Sequence, residues 1–503
     1  MIKKISLIPF LLWLILIASL YFHTTDVFDQ DMGRHLKLGE IIWQTKEVPK
    51  LNLFSYTAVN EPVFNSHWGS QVVFYIIHQF AGTSGLIVFS TLVNTAAFGL
   101  LFFFVTRRAG ILLASTISVP FLPILLDRTW VRPEMFGNLF YAIILIALFS
   151  KRVRYYAKWF FPLIALLWIN LHITAVFGVF AMVVVLFQDS FDLLRSSERH
   201  DSKTSLKWNR FWTSQNDKVQ KGIFTNVLIG CFILAFLFIN PYGFDGVRMA
   251  FTVLNKYGYT IVENQSWLFL RDFGFSFVNN IAIGFVLLIF SYMFTVTRLR
   301  RPFLGEVTLL VVVSILTLRF VRNEILFAYT AYLVSSLNLA RFQKLRVRSV
   351  TTHTFFLFVA TYCIGAALIY QAHALQGLPF GVGNKESYRK GVDFFLANNL
   401  PEPIFNNFDI GGYLIYRLYP KTPVFVDNRP EAYPVNFFQN TYIPMQIEQT
   451  KFDTFTQQYK FKTIIWGVRD ITPWSKDFLD RITKDPAWKT VYLDDAIIIL
   501  TKK

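Results

Sequence analysis

WFFPLIALLWINLHITAVFGVFAMVVVLF, residues 159–187, is almost unbroken apolar sequence, with Asn170 and His172 near its middle. As one helix it would be about 43 Å long, well over the roughly 30 Å hydrocarbon core of a bilayer. As two full spans it is too short. Charge parity decides between them. The segment that follows, Arg195 to Lys221, is strongly basic, and basic loops stay on the cytoplasmic side of a membrane. A single span would put that segment outside. The stretch therefore reads as two short helices that meet at Asn170-Leu171-His172, below the outer face.

Two other apolar stretches have the same form. Ile111–Phe149 is interrupted by Asp127, Arg128, Arg132, Pro133 and Glu134, and Val307–Leu339 by Arg319, Arg322, Asn323 and Glu324. Charge at membrane depth survives only where protein or a water-filled cavity surrounds it. Three helix pairs that turn around at polar clusters imply a cavity open to the outside. With the remaining apolar runs (Ile5–Phe22, Gly85–Thr106, Ile223–Ile239, Ala282–Thr297 and Phe355–Tyr370), about 11 transmembrane helices are expected. Ile5–Phe22 is longer than a usual signal-peptide core and no clear A-x-A site follows, so it reads as a retained helix with a cytoplasmic N-terminus.

Composition agrees with this class. Hydrophobic residues are 54% of the chain and charged residues 16%. The net charge of +17 is concentrated in six short segments that hold 22 of the 49 Lys and Arg. They fall on alternate sides of successive apolar runs, so the excess is a topology signal rather than a nucleic-acid footprint. Cys231 and Cys363 both lie inside apolar runs and give neither a disulfide framework nor metal-ligand spacing.

Residues 1–376 form the expected membrane domain, with large outer loops at 23–84 and 240–281. The first loop carries two amphipathic stretches, around Leu36–Ile42 and Val72–Ile77, suited to interfacial helices. From residue 377 the tail balances 16 Lys and Arg against 14 Asp and Glu and alternates strand-like and helix-like runs. Strands are expected at Pro403–Asn406, Val424–Asp427, Thr463–Trp466 and Thr490–Leu500. Helices are expected at Val392–Asn398, Gly411–Leu418 and Thr450–Tyr459. Residues 377–503 thus read as a soluble extracytoplasmic α/β domain.

Asp29 and Asp31, one residue apart just beyond the first span, are the leading candidates for chemistry. Such a pair can be a solvated loop end. It can also supply a general base toward a hydroxyl, or hold a divalent cation such as Mg or Mn through hard oxygen ligands. Arg319 and Arg322 can pair with Glu324, or they can bind phosphate through their fixed donors. Arg128 and Arg132 allow the same reading, with Asp127 and Glu134 as local alternatives. His67 beside Trp68 can line a sugar site. His172 suits a hydrogen-bonded structural role, and Glu263 is a loop acid able to touch substrate. No G-x-x-x-x-G-K, G-x-S-x-G or H-E-x-x-H motif occurs, so nucleotide hydrolysis, serine hydrolysis and zinc peptidase chemistry lose their usual support.

The run Asp29-Gln30-Asp31-Met32-Gly33-Arg34-His35-Leu36, followed by Gly39-Glu40, Pro49 and Phe54-Ser55-Tyr56-Thr57, resembles the first outer loop of bacterial GT-C membrane glycosyltransferases. His67-Trp68, Arg132-Pro133-Glu134, Trp168 with Asn170-Leu171-His172, Asn240-Pro241-Tyr242-Gly243 and Arg319 to Phe327 continue the likeness. The tail, from Phe405-Asn406 through Asp409-Ile410-Gly411-Gly412 to Val426-Asp427-Asn428-Arg429, resembles the extracytoplasmic domain of one branch of that group.

The resemblance implies a multi-pass enzyme of the bacterial plasma membrane that takes a sugar from a polyprenyl-phosphate donor to an unknown glycan, lipid or protein acceptor outside, with inversion. Asp29 or Asp31 would be the base, and Arg319 and Arg322 would stabilise the leaving phosphate. A transporter or lipid flippase is the main rival, and an inactive GT-C-like scaffold the second.

Overall fold

A computed structural model describes residues 7–26, 31–198, 217–252, 257–296, 302–343 and 352–503. Asp29 lies outside the described residues, as does most of the basic segment between Arg195 and Lys221. Four described helices are long and apolar enough to cross a membrane: Trp68–Ala109, Ala175–Ser196, Asp217–Leu237 and Phe355–Gln376. Shorter apolar helices cover Leu7–Tyr21, Ile111–Leu126, Glu134–Phe149 and Val278–Met293.

Each of the three long apolar stretches is broken at its polar cluster. The first gives way between Leu126 and Glu134, the second between Leu171 and Ala175, and the third between Arg319 and Glu324. At the second break His172 is extended, with φ −159°. The helix Trp68–Ala109 joins the expected interfacial stretch to the span that follows, with a kink at Gly82. Gly82 has φ +60°, open to a residue without Cβ, and the helix bends there.

The helices pack through one large apolar core around Trp13, Phe98, Phe121, Trp168 and Tyr332. Several polar side chains enter it, and some of them are tied across helices. Trp13 Nε1 donates to Ser118 Oγ at 3.1 Å, and Tyr332 OH to the Ala114 carbonyl at 3.2 Å. In hydrocarbon an unpaired polar group is costly, so such bonds fix which helix faces meet.

The tail holds a four-stranded sheet, β1 (Ile404–Asn406), β2 (Thr463–Gly467), β3 (Trp488–Leu493) and β4 (Ile497–Lys502), in the order β1-β2-β4-β3. β1 and β2 are parallel, and the other pairings are antiparallel. One face packs on Phe405, Phe425, Phe452, Phe461, Trp466 and Phe478.

Two sequence expectations change here. Thr490–Leu500 is not one strand but a hairpin, because Asp494 Oδ1 accepts from the amides of Ala496 and Ile497 and closes a turn. Val424–Asp427 is not a sheet strand either. Val424 instead forms an isolated bridge with Ser55 of the first outer loop. The helix Pro473–Ile482, preceded by Thr472 and opened by Pro473 at its first position, carries a start signal that the sequence reading passed over.

That bridge is part of a seam that sews the outer loop to the tail. Val424 N donates to the Phe54 carbonyl at 2.9 Å, Thr57 Oγ1 to the Phe425 carbonyl at 2.7 Å and Tyr56 OH to the Ile404 carbonyl at 2.8 Å. Beside it, the helices Met32–Thr45 and Gly411–Leu418 cross at Gly33 and Gly412. A Cβ on Gly33 would stand 2.5 Å from the Gly412 carbonyl oxygen, so only glycine allows this approach. Met32, Leu36, Leu38, Tyr413 and Leu414 share one buried cluster. The start of the first helix after the loop acids is thus held directly against the tail.

Candidate active site

Between the ends of the helices and the tail lies a cavity of about 470 Å³. Asp31, Asp127, Arg128, Arg132, Glu263 and Glu324 face it from the membrane side, and Phe408, Asp409, Asn428 and Thr472 from the tail.

Asp31 sits immediately before the helix Met32–Thr45. Its Oδ1 accepts from Arg34 Nη2 at 2.5 Å and from Asn428 Nδ2 at 2.6 Å. Arg34 Nε also donates to Asn428 Oδ1 at 3.0 Å, which closes the triangle. Asn428 is itself fixed through its neighbours. Arg429 is buried and forked onto Asp427, with Nε to Oδ1 at 2.7 Å and Nη2 to Oδ2 at 2.8 Å, and it donates to Asn52 Oδ1 at 2.9 Å. One oxygen of Asp31 is thereby locked. No described residue donates to Oδ2, which leaves it available to a ligand in the cavity. With a guanidinium on Oδ1, this arrangement suits a hydrogen-bond acceptor better than a cation ligand. Among the described residues no three His, Cys, Asp or Glu side chains converge as a metal site.

The same cavity is bordered by a charged network built on the first helix break. Arg128 is buried and meets Glu263 at 2.5 Å, Glu324 at 3.3 Å and Glu134 at 3.9 Å. Arg132 also reaches Glu263, at 3.1 Å. Burial alone would raise the Glu263 carboxyl, but Arg128 first, then Arg132 and Arg322, outweigh it and hold it well below the usual carboxylate range. Glu263 therefore serves as the counter-ion of two arginines and is not free to act as a base.

The pairing proposed from sequence for Arg319 and Arg322 changes. Glu324 pairs with Arg128 rather than with either of them. Phe320 is extended (φ −141°, ψ 101°), so the three-residue spacing does not put the two arginines on one face. Arg319 is exposed, its guanidinium 5.7 Å from the Phe320 ring centroid, and it does not line the cavity. Arg322 is half-buried beside Val321 and Glu324, which do. Its Nη1 donates to Asn264 Oδ1 at 2.9 Å. Among the described residues no carboxylate forms an ion pair with it.

Behind Asp31 run three histidines, with ring centroids 5.9 Å apart for His35 and His67 and 5.0 Å for His67 and His172. Desolvation, helped by Arg34 and Arg322, brings His67 down to about 3, so the ring is neutral. His172 Nδ1 lies 2.7 Å from Thr174 Oγ1, and His35 Nδ1 lies 3.1 Å from Gln71 Nε2. None of the three lines the cavity; His67, expected from sequence to line a sugar site, instead borders a smaller neighbouring pocket with Arg34 and Glu431.

Sequence reasoning passed over Arg34, Asp409 and Asn428 as site residues. The last two lie in the Asp409-Ile410-Gly411-Gly412 and Val426-Asp427-Asn428-Arg429 motifs, which marked the tail without assigning it a part in the site. Asp409 is raised to about 7, by desolvation first and by Asp470 second. Asp127 also faces the cavity, and its Oδ2 is buried with no hydrogen-bond partner among the described residues.

No protein-family model and no curated protein matches the chain. Solved structures do. The archaeal oligosaccharyltransferase AglB from Archaeoglobus fulgidus, solved with an inhibitory peptide and a dolichol-phosphate, superposes with a TM-score of 0.54 at 10% identity, over 94% of this chain and 70% of that one. An Archaeoglobus fulgidus oligosaccharyltransferase tethered to an acceptor peptide gives 0.50 at 11% identity, over 92% and 69%. ArnT from Cupriavidus metallidurans bound to undecaprenyl phosphate gives 0.50 at 10% identity, over 98% and 97%. At such identities the likeness concerns the course of the chain and not its individual side chains. Over nearly its whole length, this chain shares the fold of AglB and ArnT.

Proposed function

We propose that the protein is an integral membrane glycosyltransferase that moves a sugar from a polyprenyl-phosphate donor to an acceptor on the outer face, with inversion. The observation that carries this reading is a single cavity that brings the half-locked carboxylate of Asp31 together with Arg128 and Arg132, with Arg322 beside it and, among the described residues, in no ion pair with a carboxylate. Asp31 Oδ2 takes the proton of an acceptor hydroxyl. The acceptor oxygen bonds to the anomeric carbon from the face opposite the phosphate, the sugar–phosphate bond breaks, and its electrons pass to the phosphate. Arg132, which lines the cavity, and Arg322 beside it stabilise that charge, the kind of electrostatic contribution that often dominates such steps. Asp29 is the alternative base.

The lipid chain has a matching place. An apolar groove of about 680 Å³ runs between the helices Val278–Val296 and Leu304–Arg319, lined by Phe285, Leu288, Ile289, Leu310 and Ile315. The second of these helices ends just before Arg322. With about 11 spans and a cytoplasmic N-terminus, the tail is extracytoplasmic. An impermeant thiol reagent is then expected to label Asn436→Cys, an exposed position, in intact cells. Labelling only after permeabilisation would reverse the orientation.

Arg322→Lys separates transfer from transport. Lysine keeps the charge but loses the planar fork. With a defined undecaprenyl-phosphate sugar, turnover is expected to fall about 10–100-fold while thermal unfolding in detergent stays near wild type. Wild-type turnover in the variant, or donor crossing the membrane with no new glycosidic bond, would overturn the reading.

A further inference from the structure

The tail is one wall of the cavity, and its own topology says which part of it faces there. In sheets with parallel strands, ligands bind beyond the carboxyl ends of those strands. β1 and β2 are parallel, and the segments leaving their carboxyl ends are residues 407–410 and 468–472. Phe408, Asp409, Ile471 and Thr472 from those segments line the cavity that Asp31 lines.

Two acids sit at this edge and differ in one respect. Asp470 is spent: its Oδ1 accepts from Thr472 N at 2.9 Å and Thr472 Oγ1 at 2.7 Å, and its Oδ2 from Asn407 Nδ2 at 2.9 Å. Asp409 accepts no hydrogen bond from any described residue and opens on the cavity. Beside it, Tyr259 stacks on Phe408 with ring centroids 4.3 Å apart and an interplanar angle of 23°, and both rings border the same space. A free carboxylate next to a flat aromatic surface suits a sugar ring, which offers hydroxyl donors at its edge and C–H groups on its face. Asn428, from the same wall, holds Asp31, so the base is registered to whatever this wall binds.

We infer that the carboxyl edge of β1 and β2 is the acceptor subsite, that the acceptor is a hydroxyl-rich glycan, and that Asp409 binds one of its hydroxyls beside the Tyr259–Phe408 surface. This deepens the transferase reading and rests on it only for the word acceptor; the binding itself can be measured alone.

The full-length protein in nanodiscs is probed with an array of defined cell-surface oligosaccharides. Wild type is expected to bind at least one of them. Asp409→Ala weakens that binding about 10–100-fold, the usual effect of losing a hydrogen bond to a charged partner. Asp409→Asn, nearly isosteric, restores part of it and stands in if the alanine variant fails to fold. No glycan bound by wild type, or equal binding by the folded Asp409 variants, overturns the subsite even if donor is consumed. Glycan binding that depends on Asp409 with no donor turnover keeps the subsite and removes the transferase.

Discussion

Asp31→Asn is expected to lower sugar transfer about 10²–10⁴-fold, the range for loss of a positioned general base, with little change in stability. The geometry explains why the fold should survive. Arg34 and Asn428 both bind Oδ1, and an asparagine carbonyl can accept from the same two donors. What the amide cannot do is take a proton through the other position, the one no described residue occupies. The expected signature is therefore a fall in turnover with an unchanged melting temperature and unchanged affinity for the polyprenyl phosphate. Asp31→Ala should behave differently, because it frees Arg34 and Asn428 and loosens the wall they define. If Asp31→Asn transfers sugar at the wild-type rate, Asp31 is not the base, and Asp29 becomes the residue to change.

Much of this arrangement could be read from sequence because it depends on local contrast. A pair such as Asn170 and His172, or the Asp127–Glu134 cluster, stands out within apolar sequence, and a lipid environment leaves such groups few places to go. The helix breaks follow from that alone. The partners do not. Asp31 and Asn428 are 397 positions apart, and nothing in either motif marks the other. Arg319 and Arg322 illustrate the same limit at short range. Their spacing suits a shared helix face, but one extended residue, Phe320, turns them apart. In the tail, the apolar alternation through 490–500 suggested one strand because Asp494-Asp495 reads as two polar residues in the pattern. In fact the Asp494 side chain closes a turn there and a hairpin results.

The second large effect concerns Arg128, which neutralises more buried acid than any local sequence pattern suggested. It is 8% exposed and bound to Glu263 and Glu324, with Glu134 within 3.9 Å. Arg128→Met keeps much of the side-chain volume but removes the charge. Glu324, also buried, then loses its ion-pair partner among the described residues, and Glu263 keeps its ion pair with Arg132. Removing one member of a buried ion pair typically costs about 3–5 kcal/mol, because the remaining charge stays desolvated. Thermal unfolding in detergent should show a marked loss of stability. Arg128→Met combined with Glu324→Gln should recover part of it, since the second change removes the stranded charge, and a coupling of about 0.5–3 kcal/mol is the usual scale for residues in contact. The loss should reach function by a defined route. Glu263 and Asn264 belong to one short turn, and Asn264 is the hydrogen-bond partner of Arg322. Releasing that turn leaves Arg322 without its support, so Arg128→Met should also weaken use of the donor phosphate in whatever protein remains folded. Wild-type melting in the single variant would mean that the network is bystander charge. Recovery of stability in the double variant without recovery of donor use would place the role of Arg128 in holding the Glu263–Asn264 turn as well as in neutralising the helix break.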